Sequence, residues 1–184
     1  MTGGSLPVNV KFTSALRRIP PLQAFQYRPV LATEGDVCAF ELPPGALPIT
    51  VEAPSGRPMA VTPGDTFLAT PGYRESTRWV SGRIPAGGLI PGDYYWVLAE
   101  SGVVGELAGD PPLETGHLAR VQYLGAVCRD SGETVNIRQF AVPRSPKTGR
   151  NMPVYLLLGT SGHVGKTTAG SRFYGRCACR AMRG

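Results

Sequence analysis

Along most of the chain the apolar residues fall in short clusters, and a turn signal closes each one. From Arg28 to Gly72 the clusters are parted by Glu34-Gly35-Asp36, Pro43-Pro44-Gly45, Pro54-Ser55-Gly56 and Pro63-Gly64-Asp65. Glycine supplies positive φ in such turns, proline pre-sets φ, and aspartate bonds its own backbone. Turn signals every ~8–12 residues between apolar runs predict the successive strands of an all-β sandwich or barrel. The pattern continues beyond Gly72. Pro91-Gly92-Asp93 precedes an aromatic and β-branched strand over Tyr94 to Leu98, and two more strands are predicted around Asp130-Ser131-Gly132. An earlier strand is predicted to open the stretch Val8 to Ile19. The segments starting at Val30, Phe67 and Val97 share Leu-Ala, a polar residue and then glycine, but at unequal spacing. They read as similar strand ends, not as a repeat architecture.

The rhythm breaks after Val142. The next residues, through Pro153, are rich in proline and basic side chains and have no apolar periodicity, which predicts a linker. Val154-Tyr155-Leu156-Leu157-Leu158 is then one continuous apolar run. Such a run suits a strand buried on both faces of a parallel sheet.

That run enters a glycine-rich loop, Gly159-Thr160-Ser161-Gly162-His163-Val164-Gly165-Lys166-Thr167-Thr168. A phosphate-binding loop needs glycines that let the backbone approach the anion, and amides at a helix N-terminus that face it. It also needs a lysine for the β- and γ-phosphates and a hydroxyl for magnesium. Gly162 and Gly165 supply the turns, Lys166 the charge and Thr167 the metal ligand. The first glycine stands one residue earlier than in the commonest spacing, where position 160 would be glycine and is Thr160. The spacing resembles the variant loop of the dethiobiotin synthetase and cobyrinic acid amidase group of P-loop proteins. There Gly-Thr-Asp or Gly-Thr-Ser opens the loop and Val-Gly-Lys-Thr closes it. The resemblance covers Leu156 to Gly170. It implies that 159–168 bind ATP and magnesium, in an enzyme that uses ATP to activate carboxylates or drive ligation.

The remainder of a P-loop domain is not encoded after the motif. Sixteen residues follow Thr168, rich in glycine and arginine, with apolar positions out of helical step. Glycine costs about 1 kcal/mol per helix-interior position, so a helix beyond Ala169 is predicted to be weak. The pattern reads as a P-loop sequence broken off near Gly170, either truncated or shifted in frame, or as a natural short chain with a degenerate end. The predicted fold class is therefore mainly β. A small β-barrel or sandwich occupies 1–143, a linker 144–153, and the truncated start of a P-loop α/β domain 154–184.

Charge and composition narrow the partners. Net charge is +6, but all eight Lys and Arg from Arg144 onward stand without a single Asp or Glu, leaving the rest at −2. The excess is local, which argues against a nucleic-acid surface. The apolar runs are too short to span a bilayer and no leader pattern opens the chain, so a cytoplasmic, non-membrane protein is expected. Cys38 and Cys128 sit in apolar settings as buried thiols, and Cys177 and Cys179 lack the partners of a zinc site. Tyr73 to Arg78 could grip an anionic ligand or a neighbouring domain, but an exposed hairpin loop with internal ion pairs is the favoured reading. His117 has no second histidine in its module and reads as an ordinary surface residue. Asp36, Asp65 and Asp93 follow glycine and fit turn chemistry.

Two functions follow. The first is an ATP-binding P-loop protein, a fragment of a longer ATP-dependent enzyme without turnover of its own. The second is a β-module for ligand or protein binding that carries a non-functional loop remnant.

Overall fold

The computed structural model describes residues 4–5, 10–20, 26–75, 80–109, 118–143, 156–159 and 165–181. The chain forms two units. One holds Met1–Glu75 with Trp79–Val142, the other Ser76–Arg78 with Pro143–Gly184.

The first unit is a closed five-stranded β-barrel. Its staves are β4 (Cys38–Glu41), β7 (Thr66–Pro71), β9 (Tyr94–Ala99), β10 (Val103–Leu107) and β11 (Arg120–Cys128). Strand β11 pairs antiparallel with both β4 and β9, β4 with β7, and β9 with β10. The ring closes through one parallel joint, where Val103 and Val104 of β10 lie opposite Thr70 and Pro71 of β7. The predicted turns stand where the sequence placed them, and the turn aspartates act locally. Asp36 accepts from the Thr33 amide and Asp65 from the Thr62 amide.

Phe40, Phe67 and Tyr123 meet inside, with ring centroids 6.0 Å apart for Phe40–Phe67 and 5.5 Å for Phe40–Tyr123. The hairpin of β5 (Ile49–Glu52) and β6 (Pro58–Val61) adds Ile49, Val51 and Val61 to this core, and Leu89 joins from the loop before β9. The barrel is thus a packed core and not a ligand pore. The Tyr123 hydroxyl donates to the Val30 carbonyl at 2.8 Å, so the buried phenol is satisfied.

One wall of the barrel is buried on both faces. Along β4, Cys38 and Phe40 point inward while Ala39 joins an outer cluster with Leu68, Val127, Leu16 and Ile19. The cover is the N-terminal segment. Strand β2 (Lys11–Phe12) runs parallel to β7, opposite Phe67 and Leu68. The other edge of β7 is taken by β4, so β2 and β10 share one edge end to end. Thr13 donates to the Leu68 carbonyl, Ala15 to Ser101, and Thr70 to Gly102, which stitches the two pieces together. The 3-10 turn η1 (Ser14–Leu16) then buries Leu16 at 1% exposure. Gly102 permits the junction: its φ is +89°, and a Cβ there would stand 2.1 Å from Thr13 Oγ1. Two small strands flank the ring, β3 (Gln26–Arg28) on β11 and β8 (Gly82–Arg83) on β10, and β1 (Gly4–Ser5) pairs with β3.

One predicted strand takes another form. After Asp130-Ser131-Gly132 only Thr134 and Asn136 make isolated bridges, and the chain coils into η2 (Ile137–Phe140). The reason is local. The Asn136 side chain accepts from the start of η2 while Gln139 reaches back to the Asn136 amide, a capping box that starts a helical turn.

In the second unit, helix α1 (Lys166–Ala181) runs well past Ala169. This corrects the expectation of a weak helix. Arginine and alanine are good helix formers and no proline intervenes, so their propensity outweighs two interior glycines. The buried parallel strand expected at Val154 to Leu158 is also not seen where it is described. Leu156 to Gly159 carry no strand ladder, and Leu156 and Leu158 are 76% and 81% exposed. A lone parallel strand has no neighbour to take its backbone groups or cover its side chains. The predicted linker, 144–153, lies outside the described residues.

Candidate functional site

The loop residues meet the structure only at their ends. Gly159 is exposed. Thr160, Ser161, Gly162, His163 and Val164 lie outside the described residues. Gly165 has φ +85° and α1 begins at the next residue, Lys166. A Cβ on Gly165 would meet nothing within 4 Å, so its glycine serves backbone conformation, not packing. The first turn of α1 is closed by the Ala169 amide on the Gly165 carbonyl at 2.9 Å. Lys166 is half-buried, and Thr167 and Thr168 are exposed beside it. Ser171 Oγ donates to the Thr167 carbonyl, which stiffens the next turn. A Cβ on Gly170 would lie 3.1 Å from Leu157 Cδ1, so the leucine run passes against the bare face of the helix.

Chemically, this end of α1 carries the partial positive charge of a helix N-terminus plus one lysine. No acidic residue stands in its first turn to neutralise it. Those features fit a phosphate group. For magnesium the residues offer the Thr167 hydroxyl. Magnesium keeps several waters and takes phosphate oxygens, so a single protein ligand is compatible with it.

Of the other candidates, those among the described residues have structural partners or are buried, Tyr73 apart. Arg74 donates to the Leu98 carbonyl and bridges to Gly82, pinning the loop after β7. Tyr73 is exposed, while Ser76 to Trp79 and His117 are outside the described residues. Cys38 and Cys128 are buried free thiols. Burial, with Asp36 nearby, pushes the Cys38 thiol well above its ordinary pKa, which keeps it protonated and inert. Burial likewise raises the Tyr95 and Tyr123 phenols. Tyr95 belongs to the core and accepts the Ile90 amide, whereas Tyr94 faces outward under the Arg120 guanidinium, 5.5 Å from its ring centroid. Among the described residues no cluster of three His, Cys, Asp or Glu side chains could hold a metal ion. No described helix is long and apolar enough to cross a membrane.

Sequence reasoning missed one polar network. Asn136 donates to Asp36 at 2.9 Å and to the Glu34 carbonyl, and Arg138 pairs with Glu34 at 2.9 Å. Asn136 and Gln139, three apart, were the signal available for it.

No protein-family model, curated protein sequence or solved structure matches this chain.

Proposed function

We propose that the chain is a nucleotide-binding protein whose loop 159–168 holds the phosphates of Mg-ATP, with the barrel as a separate binding module. The reading is carried by one observation: a left-handed glycine, Gly165, leads directly into a helix whose first residues are Lys166, Thr167 and Thr168. Loop amides and the helix terminus cradle the anion. Lys166 neutralises charge on the β- and γ-phosphates, and the Thr167 hydroxyl enters the magnesium shell. ATP, when bound, supplies a transferable phosphoryl group. The resemblance to the variant-loop group makes carboxylate activation or ligation the reaction class of an intact enzyme built on this loop.

The test is direct binding of a fluorescent ATP analogue to the full chain, followed by anisotropy with magnesium present. Saturable binding, displaced by ATP and weakened about tenfold or more by Lys166→Ala, supports the reading. Absence of saturation at millimolar analogue refutes it. In that event the second reading stands, a β-module that binds a ligand or protein. What favours that second reading is the barrel itself, which buries a continuous core around Phe40, Phe67 and Tyr123 and is complete as a ring.

A further inference from the structure

The outer cover of the barrel leaves a groove of about 320 Å³ between the end of η1 and the length of η2. Its floor is apolar, formed by Ile19, Ile137 and Phe140, and its mouth carries Arg17, Arg18 and Arg138. No acidic residue lines it. Arg138 is paired with Glu34 at 2.9 Å. Arg17 and Arg18 are both exposed and adjacent in sequence.

Both walls are fixed before any ligand arrives. On one side the Arg17 amide bonds Ser14 and the Ile19 amide bonds Leu16. Ile19 is itself 9% exposed and anchored in the outer cluster. On the other side Asn136 and Gln139 lock η2 through the capping box, and Ile137 donates its amide to Gly35. A preformed apolar pocket with a few convergent polar groups is the usual form of a small-molecule site, whose volumes begin near ~300 Å³. Arginine is also the side chain whose planar fork matches a carboxylate.

We infer that this groove binds an aliphatic carboxylate, an organic anion whose hydrocarbon body lies on Ile19, Ile137 and Phe140 while its charge meets Arg17 and Arg18. The size of the groove limits the ligand to a short chain. The arginines of its mouth repel amines, and a neutral alcohol can accept a hydrogen bond from them but gains no charge pairing. The site is independent of the nucleotide loop, so it stands or falls separately from the function proposed above.

Octanoate, titrated into the full chain by calorimetry, is the probe, with octanol and octylamine as controls of equal length. The expected result is saturable octanoate binding, with both controls weaker by about tenfold or more. The double variant Arg17→Ala/Arg18→Ala loses about tenfold or more in octanoate affinity. Arg57→Ala, which removes one positive charge from the exposed β5–β6 turn, leaves it unchanged. Near-UV circular dichroism checks that the double variant keeps its fold; if it does not, Arg18→Gln alone carries the same test. The inference is overturned if octanoate fails to saturate, if octanol binds equally well, or if the arginine variant binds like the parent. Binding of an acidic peptide without octanoate binding would also overturn it, and would make the groove a protein-docking surface.

Discussion

Gly102→Ala probes the closure of the barrel more sharply than any core truncation. Two costs combine at this position. The backbone is left-handed, with φ +89°, and an L-residue there loses about 1–2 kcal/mol. The added methyl would also stand 2.1 Å from Thr13 Oγ1 and 2.3 Å from Thr13 Cβ. A new rotamer relieves the first contact but not the second, because Cβ moves only with the backbone. That backbone is held by the Thr13 amide on Leu68 and the Ala15 amide on Ser101. The segment must therefore lift, at about 1 kcal/mol for each hydrogen bond weakened. It also partly exposes Leu16, now 1% exposed, whose full burial is worth about 2 kcal/mol. The expected total is about 4 kcal/mol. Gly56→Ala is the matched control: φ there is +80°, but a Cβ meets nothing within 4 Å, so only the conformational cost of about 1–2 kcal/mol applies. Urea unfolding followed by near-UV circular dichroism measures both. A gap of about 3 kcal/mol between the two variants supports the closure. Equal destabilisation would refute it, since the N-terminal segment would then not lie along the edge of β7.

Three further outcomes follow from the same structure. Lys11 and the Thr62 hydroxyl and amide hold the Asp65 carboxyl down at about 2, from an ordinary 3.8. A lowered carboxylate pKa stabilises the fold above about pH 4 and loses that contribution as pH falls toward 2. Both side chains are 30% exposed, so solvent screening reduces the effect to about 1 kcal/mol. Asp65→Asn should flatten the acid limb of a stability profile between those pH values, and an unchanged limb would refute the assignment. Tyr123→Phe removes the donor to the Val30 carbonyl at 2.8 Å and should cost about 1–2 kcal/mol by urea midpoint, with the core rings still packed. Asn136→Ala removes the cap of η2 and the bond to Asp36, and should lower the thermal midpoint by roughly 3 °C or more, corresponding to about 1–2 kcal/mol. The same variant loosens one wall of the arginine groove, so octanoate affinity should fall with it.

The strands were legible because their signals are local. Turns at Pro43-Pro44-Gly45 or Pro63-Gly64-Asp65 need only their own residues, and β4 to β7 stand between them as read. Which strand neighbours which is set by contacts distant in sequence, so the closure of β10 on β7 was not legible. A strand was expected in the stretch Val8 to Ile19, but its place on the outer face of the barrel was hidden for a related reason. Residues that cover an outer barrel face give β4 two buried faces, Ala39 as well as Phe40, and so erase the alternation that marks a half-buried strand. The η2 turn was a different failure. Its capping box was present in Asn136 and Gln139, but the stretch after Asp130-Ser131-Gly132 read as a strand. The arginine groove joins Arg17 and Arg18 to Phe140 from the other end of the barrel sequence, and no local pattern announces that meeting.

The proposed phosphate loop illustrates the opposite balance. Its motif can be read from ten residues, because positive φ at Gly165 and a helix start at Lys166 are decisions of the local backbone. What makes such a loop a working site is not local. The strand before it must be paired on both edges to fix the loop against the substrate, and pairing needs other strands. Leu156 and Leu158, 76% and 81% exposed, are the residues that pairing would bury. Affinity for phosphate requires only the amides, Lys166 and the helix end. Turnover requires a positioned acceptor and a completed magnesium shell. On the proposed reading, binding and catalysis should therefore separate in this chain, with ATP held by the loop and not hydrolysed at an enzymatic rate.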